Sequence, residues 1–245
     1  MTSTTPAFQL HGDVAIVSGA GSSLPGEIGN GRATAIVLAR QGAKVALLDY
    51  KLEAAQETKK MIDAEGGVSE VIQCDVSDEA ACKAAVEKTV ELFGKVNILV
   101  NVVGIFGPPG SAVEVDLDEW DRGMTVNVKS MVMMSRFAIP EMQKQGGGAI
   151  VSISSVSGLI GGTPSLLYAT SKGTIVQLTR AMAAQHGPDR IRVNCVAPGM
   201  VYTPMVRGPQ GMSDEVRQAR TQQSLLKVEG TAWDVAHANP IIDPT

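Results

Sequence analysis

The sequence predicts an α/β protein built on a doubly wound parallel sheet, and three observations carry that expectation. Short, mostly apolar runs rich in β-branched residues recur along the chain, as in strands buried on both faces. Helix-forming stretches separate them, and strand–helix alternation folds as parallel βαβ units. A glycine-rich turn follows the first apolar run directly.

Six strands are expected. The first, Val14–Ser18, is apolar almost throughout and ends in the turn Ser18-Gly19-Ala20-Gly21-Ser22-Ser23-Leu24-Pro25-Gly26-Glu27-Ile28-Gly29-Asn30-Gly31. Such a turn lets backbone approach a pyrophosphate, and the helix that follows supplies amide donors and a positive dipole end. By glycine count alone it could equally be a flexible surface loop. The second strand, Val45–Asp49, tips the balance. Asp49 lies twenty residues after Gly29, where a carboxylate can accept hydrogen bonds from an adenosine ribose. The same charge repels a 2′-phosphate and Lys51 compensates only in part, so NAD(H) is favoured, with NADP(H) the alternative.

Leu52–Glu65 is patterned as a helix, Val71–Cys74 as the third strand, Glu79–Phe93 as a helix and Ile98–Val100 as the fourth strand. A long helix is expected over Glu119–Met142, and its cluster Met131, Met133 and Met134 suits adaptable core or subunit packing. The fifth strand, Ala149–Ile153, delivers Ser155 to a strand end, where α/β sheets meet ligands. In the helix Leu167–His186, Tyr168 and Lys172 stand four apart and share a face. An ammonium beside a phenol favours the phenolate, drawing its pKa down from about 10 and making a general acid or base near neutral pH. After the sixth strand, Arg192–Val196, residues 199–227 mix Pro, Gly, Met and charge, the composition of a mobile segment covering a site.

A chain of 245 residues, 44% apolar, is read as one domain with its core over about 10–238. The net charge of −4 leaves no footprint for nucleic acid or an anionic membrane. Cys74, Cys82 and Cys195, like His11, His186 and His237, are scattered and far from metal-ligand spacing, so no metal is expected and a reducing compartment is. Met1–Pro6 lacks the apolar stretch of a secretory leader and no run approaches a membrane span, so the expectation is a cytoplasmic protein.

Tyr168-x-x-x-Lys172 alone is common on solvated helix faces. Together with the glycine turn, Cys74-Asp75-Val76, Asn101-Val102-Val103-Gly104, Asn127, Ser155 and Pro198-Gly199-Met200-Val201-Tyr202-Thr203, it makes the chain resemble the short-chain dehydrogenase/reductase family, of the kind with one Rossmann domain. The resemblance runs from about Leu10 to about Ala238. It implies catalysis by Asn127, Ser155, Tyr168 and Lys172. Tyr168 would exchange a proton with the substrate oxygen, Lys172 would lower the Tyr168 pKa and hold the nicotinamide ribose, Ser155 would steady the substrate oxygen, and Asn127 would support a water chain behind Lys172. It implies a dinucleotide site of Gly19, Gly21, Ser22, Ile28, Gly29, Asp49, Asp75, Val76, Asn101, Gly104, Tyr168, Lys172, Pro198, Val201 and Thr203. Asp75 and Val76 would meet the adenine, and Val201 and Thr203 the carboxamide. The activity implied is interconversion of a secondary alcohol and a ketone.

Three departures qualify the resemblance. The glycine turn is roughly six residues longer than usual, which leaves open which of Gly21, Gly26, Gly29 and Gly31 touch the pyrophosphate. Val102 stands where a second Asn is usual. The end Asn239–Thr245, with Pro240 and Pro244, cannot continue a helix or form a central strand, so the family's seventh strand is read as missing. A homo-oligomer, tetramer or dimer, is still expected. Two other readings keep the cofactor: a protein templating a non-redox or coupled natural-product reaction, and an inactive, truncated binding protein. The segments expected to line the substrate pocket are apolar and lack a clear cluster of cations, with Arg207 taken as a solvated loop cation. A small hydrophobic or cyclic alcohol or ketone fits them best.

Overall fold

Alternate residues of the first apolar run face opposite ways into two separate cores. Ile16 packs with Leu48, Leu99, Met134 and Ile150 on one side of the sheet, while Ala15 and Val17 pack with Leu47, Ile62, Val100 and Val151 on the other. Burial on both faces is why the strands read as apolar runs rather than alternating ones. The structure is a computed structural model and describes residues 9–238.

In chain order the main elements are β1 (Val14–Ser18), α1 (Asn30–Arg40), β2 (Lys44–Asp49), α2 (Leu52–Ala64), β3 (Val68–Gln73), α3 (Glu79–Phe93), β4 (Ile98–Asn101), α4 (Leu117–Met124), α5 (Ser130–Lys144), β5 (Gly148–Ile153), α6 (Leu166–His186) and β6 (Ile191–Val196). The sheet order is β3-β2-β1-β4-β5-β6, parallel throughout. The chain builds outward from β1 in one direction and from β4 in the other. A crevice therefore opens between their C-terminal ends, where doubly wound sheets bind ligands.

Two expectations are corrected. The single helix over Glu119–Met142 is divided into α4 and α5 by a π-helical turn, Thr125–Lys129. Residues 199–227, expected as a loop, are not loop throughout. They hold a two-residue strand β7 (Val201–Tyr202), a short helix α7 (Pro204–Arg207) and α8 (Asp214–Thr221), whose N-cap Ser213 accepts from the Val216 amide. β7 pairs with β8 (Gly230–Thr231), which leads into α9 (Ala232–His237) through a capping box of Thr231 and Asp234. α9 seats Ala232, Ala236 and Trp233 on α1, and the Arg40 guanidinium lies 5.1 Å over the Trp233 ring. Among the described residues β6 and β3 are the sheet edges. The expectations drawn from Met1–Pro6 and Asn239–Thr245 lie outside those residues. Within them no helix is long and apolar enough to cross a membrane, and no cluster of His, Cys, Asp or Glu could hold a metal.

Candidate active site

The glycine turn brings β1 and α1 into backbone contact. A Cβ on Gly31 would stand 1.8 Å from the Gly19 carbonyl oxygen, and Gly19 itself turns at φ +73°. Only glycine allows this approach. α1 starts at Asn30 with Gly29 as its N-cap and no side chain capping it, so its first amides face the crevice. A cavity of about 670 Å³ lies there, reached by Gly19, Gly21, Ser22, Gly29 and Gly31 from the turn. At its far end Asp49 accepts from the Gly21 amide at 2.9 Å and the Lys51 amide at 2.9 Å. Asp75, Val76 and Gly104 line the same cavity.

The extra residues of the turn are fastened away from the crevice. Arg32, fully buried, donates to the Glu27 carbonyl at 2.7 Å, the Ala54 carbonyl at 3.1 Å, the Thr58 hydroxyl at 3.1 Å and Glu57 at 2.8 Å. Glu57 also accepts from the Gly26 amide at 3.1 Å, and these donors hold its carboxyl below the ordinary range. Gly26 thus serves the insertion and does not line either cavity. Ile28 is likewise turned away from the expected phosphate position and packs beside Ala33, Trp233 and Ala236. Asn101 lies beneath the crevice floor, its amide 3.5 Å from the Ser152 hydroxyl.

A second cavity, about 540 Å³, continues from the first and shares Asn30, Gly104 and Thr203 with it. Ser155, Tyr168, Lys172, Pro198 and Val201 line it. Ser155 follows β5 in extended backbone and accepts from the Ser157 amide at 3.2 Å, which aims it across the cavity mouth. Tyr168 sits in the first turn of α6, where the cap Ser165 accepts its amide at 3.1 Å. The Phe106 ring tilts against the phenol at 5.1 Å. Lys172, 3% exposed, donates to the Ile153 carbonyl at 2.8 Å. Gly158 gives α6 its close approach, since a Cβ there would stand 2.4 Å from the Lys172 backbone.

Asn127 lines neither cavity. It lies fully buried in the π-turn, accepts from the Ile105 amide at 2.8 Å, and donates to the Ile105 carbonyl at 2.9 Å and the Ser171 hydroxyl at 3.0 Å. A π-turn widens the helix locally and often marks a functional position. Here it turns the Asn127 amide toward the start of the Ile105 loop. Lys172 Nζ and Asn127 Oδ1 converge over Gly104, 3.1 Å and 3.6 Å from where its Cβ would be.

The electrostatics differ from the sequence expectation. The Tyr168 hydroxyl is pushed up from its ordinary value by burial, an effect Ser155 offsets in part, and Lys172 is pulled down to about 8 by burial. The ammonium bonds to Ile153 and stays 5.6 Å from the Tyr168 ring centroid. Desolvation therefore dominates both groups and drives each toward its neutral form.

The chemistry present fits a dinucleotide. Ser22 Oγ and Asn30 Oδ1 are buried at the turn without hydrogen-bond partners, and buried polar atoms are normally satisfied. A pyrophosphate or its ribose could satisfy the hydroxyl, and a ribose or amide donor the carbonyl. Asn30 was not singled out from sequence, although its place as the first residue of the helix after Gly29 marks it. Arg207, expected to be solvated, instead pairs with Glu27 of the insertion.

The family profile described as Enoyl-(Acyl carrier protein) reductase matches residues 27–240. An uncharacterized oxidoreductase of Thermotoga maritima is 38% identical over 220 residues, covering 90% of this chain and 82% of that one. A cyclohexanol dehydrogenase of an Acinetobacter species is 35% identical over 198 residues, 81% of this chain and 76% of its own. The solved structure of a 7α-hydroxysteroid dehydrogenase complexed with NADH and 7-oxo glycochenodeoxycholic acid superposes with a TM-score of 0.88 at 31% identity, covering 96% of this chain and 89% of that one.

Proposed function

The chain belongs to the short-chain dehydrogenase/reductase family of Rossmann-fold oxidoreductases, and on that premise we propose that it interconverts a secondary alcohol and a ketone with NAD(H), using Tyr168 as the acid and base. One observation carries the reading: Tyr168 and Ser155 face the same cavity where it joins the dinucleotide crevice, with Lys172 and Asn127 stacked behind them. The cyclohexanol dehydrogenase relative supports the same class of substrate.

The dinucleotide, when bound, supplies or takes the hydride. The protein aligns the reactants and manages one proton. Gly19, Gly21, Ser22, Gly29 and the first amides of α1 would hold the pyrophosphate. Asp49 would take the adenosine ribose hydroxyls and disfavour a 2′-phosphate, which is why NAD(H) is preferred. Val201 and Thr203 would fix the carboxamide. Ser155 holds the substrate oxygen against the Tyr168 hydroxyl, which gives its proton during ketone reduction. A pKa raised by burial keeps Tyr168 protonated for that direction. Lys172, poised near 8, can return the proton without leaving the buried site, and Asn127 shapes the space behind it.

The test is Tyr168→Phe, assayed by absorbance at the nicotinamide band across a panel of ketones and secondary alcohols. Loss of a positioned acid predicts a fall of about 10²–10⁴-fold in kcat. Turnover unchanged by the substitution would overturn the assignment.

A further inference from the structure

The cover of the second cavity carries a cation that the proton chemistry does not use. α8 and the turn after it bring Arg220 and Gln223 into the lining. The neighbouring arginines of the cover are engaged. Arg207 pairs with Glu27, and Arg217 holds Glu229 at 2.7 Å while stacking 3.8 Å over the Tyr202 ring. Arg220 has no such partner among the described residues, and its Nε is buried without an acceptor.

The surroundings are one-sided in charge. Among the described residues the only other charged lining residue is Lys172, and no Asp or Glu faces the cavity. A buried N–H left without an acceptor, as at Arg220 Nε, is costly, and a ligand that brings one recovers the difference. Guanidinium geometry matches a carboxylate or sulfonate through two parallel hydrogen bonds. At about 540 Å³ the cavity has the size of a small-molecule site, with Tyr168 and Ser155 on its wall and Arg220 on its cover.

We propose that Arg220, assisted by Gln223, is an anion-recognising subsite, so that the substrate is a hydroxy or oxo compound bearing a carboxylate or similar anionic group away from the reacting carbon. The inference rests on the oxidoreductase reading above. It replaces a purely hydrophobic substrate with one that has an apolar body and an anionic end. Arg220 touches no reacting atom in this scheme and acts on specificity alone.

The test compares straight-chain oxo carboxylates, oxo sulfonates and the methyl esters of the same acids at saturating NADH, for the native protein, Arg220→Ala and Arg220→Lys. The native protein should prefer the acids to their esters. Arg220→Ala should lose roughly 10- to 100-fold in kcat/KM on the anionic substrates, mostly through KM, and change little on the esters. Arg220→Lys should recover part of the loss. The sulfonate arm reports whether a planar carboxylate is required or any anion suffices. Equal losses on acid and ester, a native preference for the ester, or a loss confined to the KM of NADH would each overturn the proposal, the last by moving Arg220 to the cofactor phosphates.

Calorimetry of hexanoate with the NADH-bound protein separates the two readings. If nothing in the series is turned over, the redox reading falls. Hexanoate binding at least tenfold weaker in Arg220→Ala would still support the anion site, whereas equal binding or none would refute it.

Discussion

Replacing Lys172 by Met removes an amine that burial has forced toward neutrality, and the consequence for stability can be worked out with its sign. In the folded chain the group titrates at about 8, against 10.5 when exposed. Between those values the unfolded chain holds a proton that the folded chain does not, so native stability rises with pH across that window. At about 1.4 kcal/mol per unit, the 2.5-unit gap corresponds to roughly 3 kcal/mol, lacking in the native protein below pH 8 and restored near pH 10.5. Lys172→Met has no such dependence. The variant loses the 2.8 Å bond to the Ile153 carbonyl, a cost that includes the charge on the donor at low pH but carries no further titration. Tyr168 also titrates above its ordinary value, yet it is present in both proteins and its contribution cancels in the difference.

The assay is thermal unfolding of both nucleotide-free proteins from pH 7 to pH 10.5. For a chain of this length 1 kcal/mol moves Tm by about 2–4 °C, so the variant's Tm minus the native Tm should fall by roughly 6–12 °C, toward more negative values, as pH rises. A difference that stays constant over the range would refute the claim that Lys172 is held by desolvation. The variant should lack catalytic activity at every pH.

Three other substitutions probe the framework. Asn127→Ala should destabilise the chain by about 2–4 kcal/mol, because it orphans the Ile105 amide and carbonyl; a denaturant titration measures this, and a cost below 1 kcal/mol would show that the π-turn does not depend on it. Gly31→Ala forces a methyl against the Gly19 carbonyl, so stability should fall by about 1–3 kcal/mol and NADH affinity with it, read by unfolding with and without nucleotide. Asp49→Asn keeps the side-chain shape while removing its charge, and the NADH-to-NADPH ratio of kcat/KM should drop at least about tenfold; an unchanged ratio would free Asp49 of any part in cofactor choice.

Strands whose apolar runs are buried on both faces, such as Val14–Ser18 and Ala149–Ile153, were legible because their composition depends on the sheet and on little else. Ser155, Tyr168 and Lys172 were legible because strand end and helix face place them in one cavity. Ile28 packs against α9 and away from the crevice, which motif spacing could not show because it cannot tell where an insertion bulges. The Arg32–Glu57 clasp beside it, buried at Arg32 and partly exposed at Glu57, joins α1 to α2 across 25 positions. The division of the Glu119–Met142 helix was invisible because Thr125–Lys129 has no breaker residue and its cause, the Ile105 backbone, lies 22 positions away. Burial of Tyr168 and Lys172 reversed the charge argument, since pair spacing carries no information about desolvation.

The π-turn also acts as an insertion point. Its wider i→i+5 turn takes up one extra residue locally, so the helix after it keeps the phase of the helix before it. Deleting one residue from Thr125–Lys129 would restore regular α-helical winding and withdraw Asn127 from the Ile105 backbone. The buried methionine face of α5 would keep its place in the core, because the shortened turn sweeps about the same angle. A single added residue thus places Asn127 against Ile105 and Ser171 without disturbing the packing of α5.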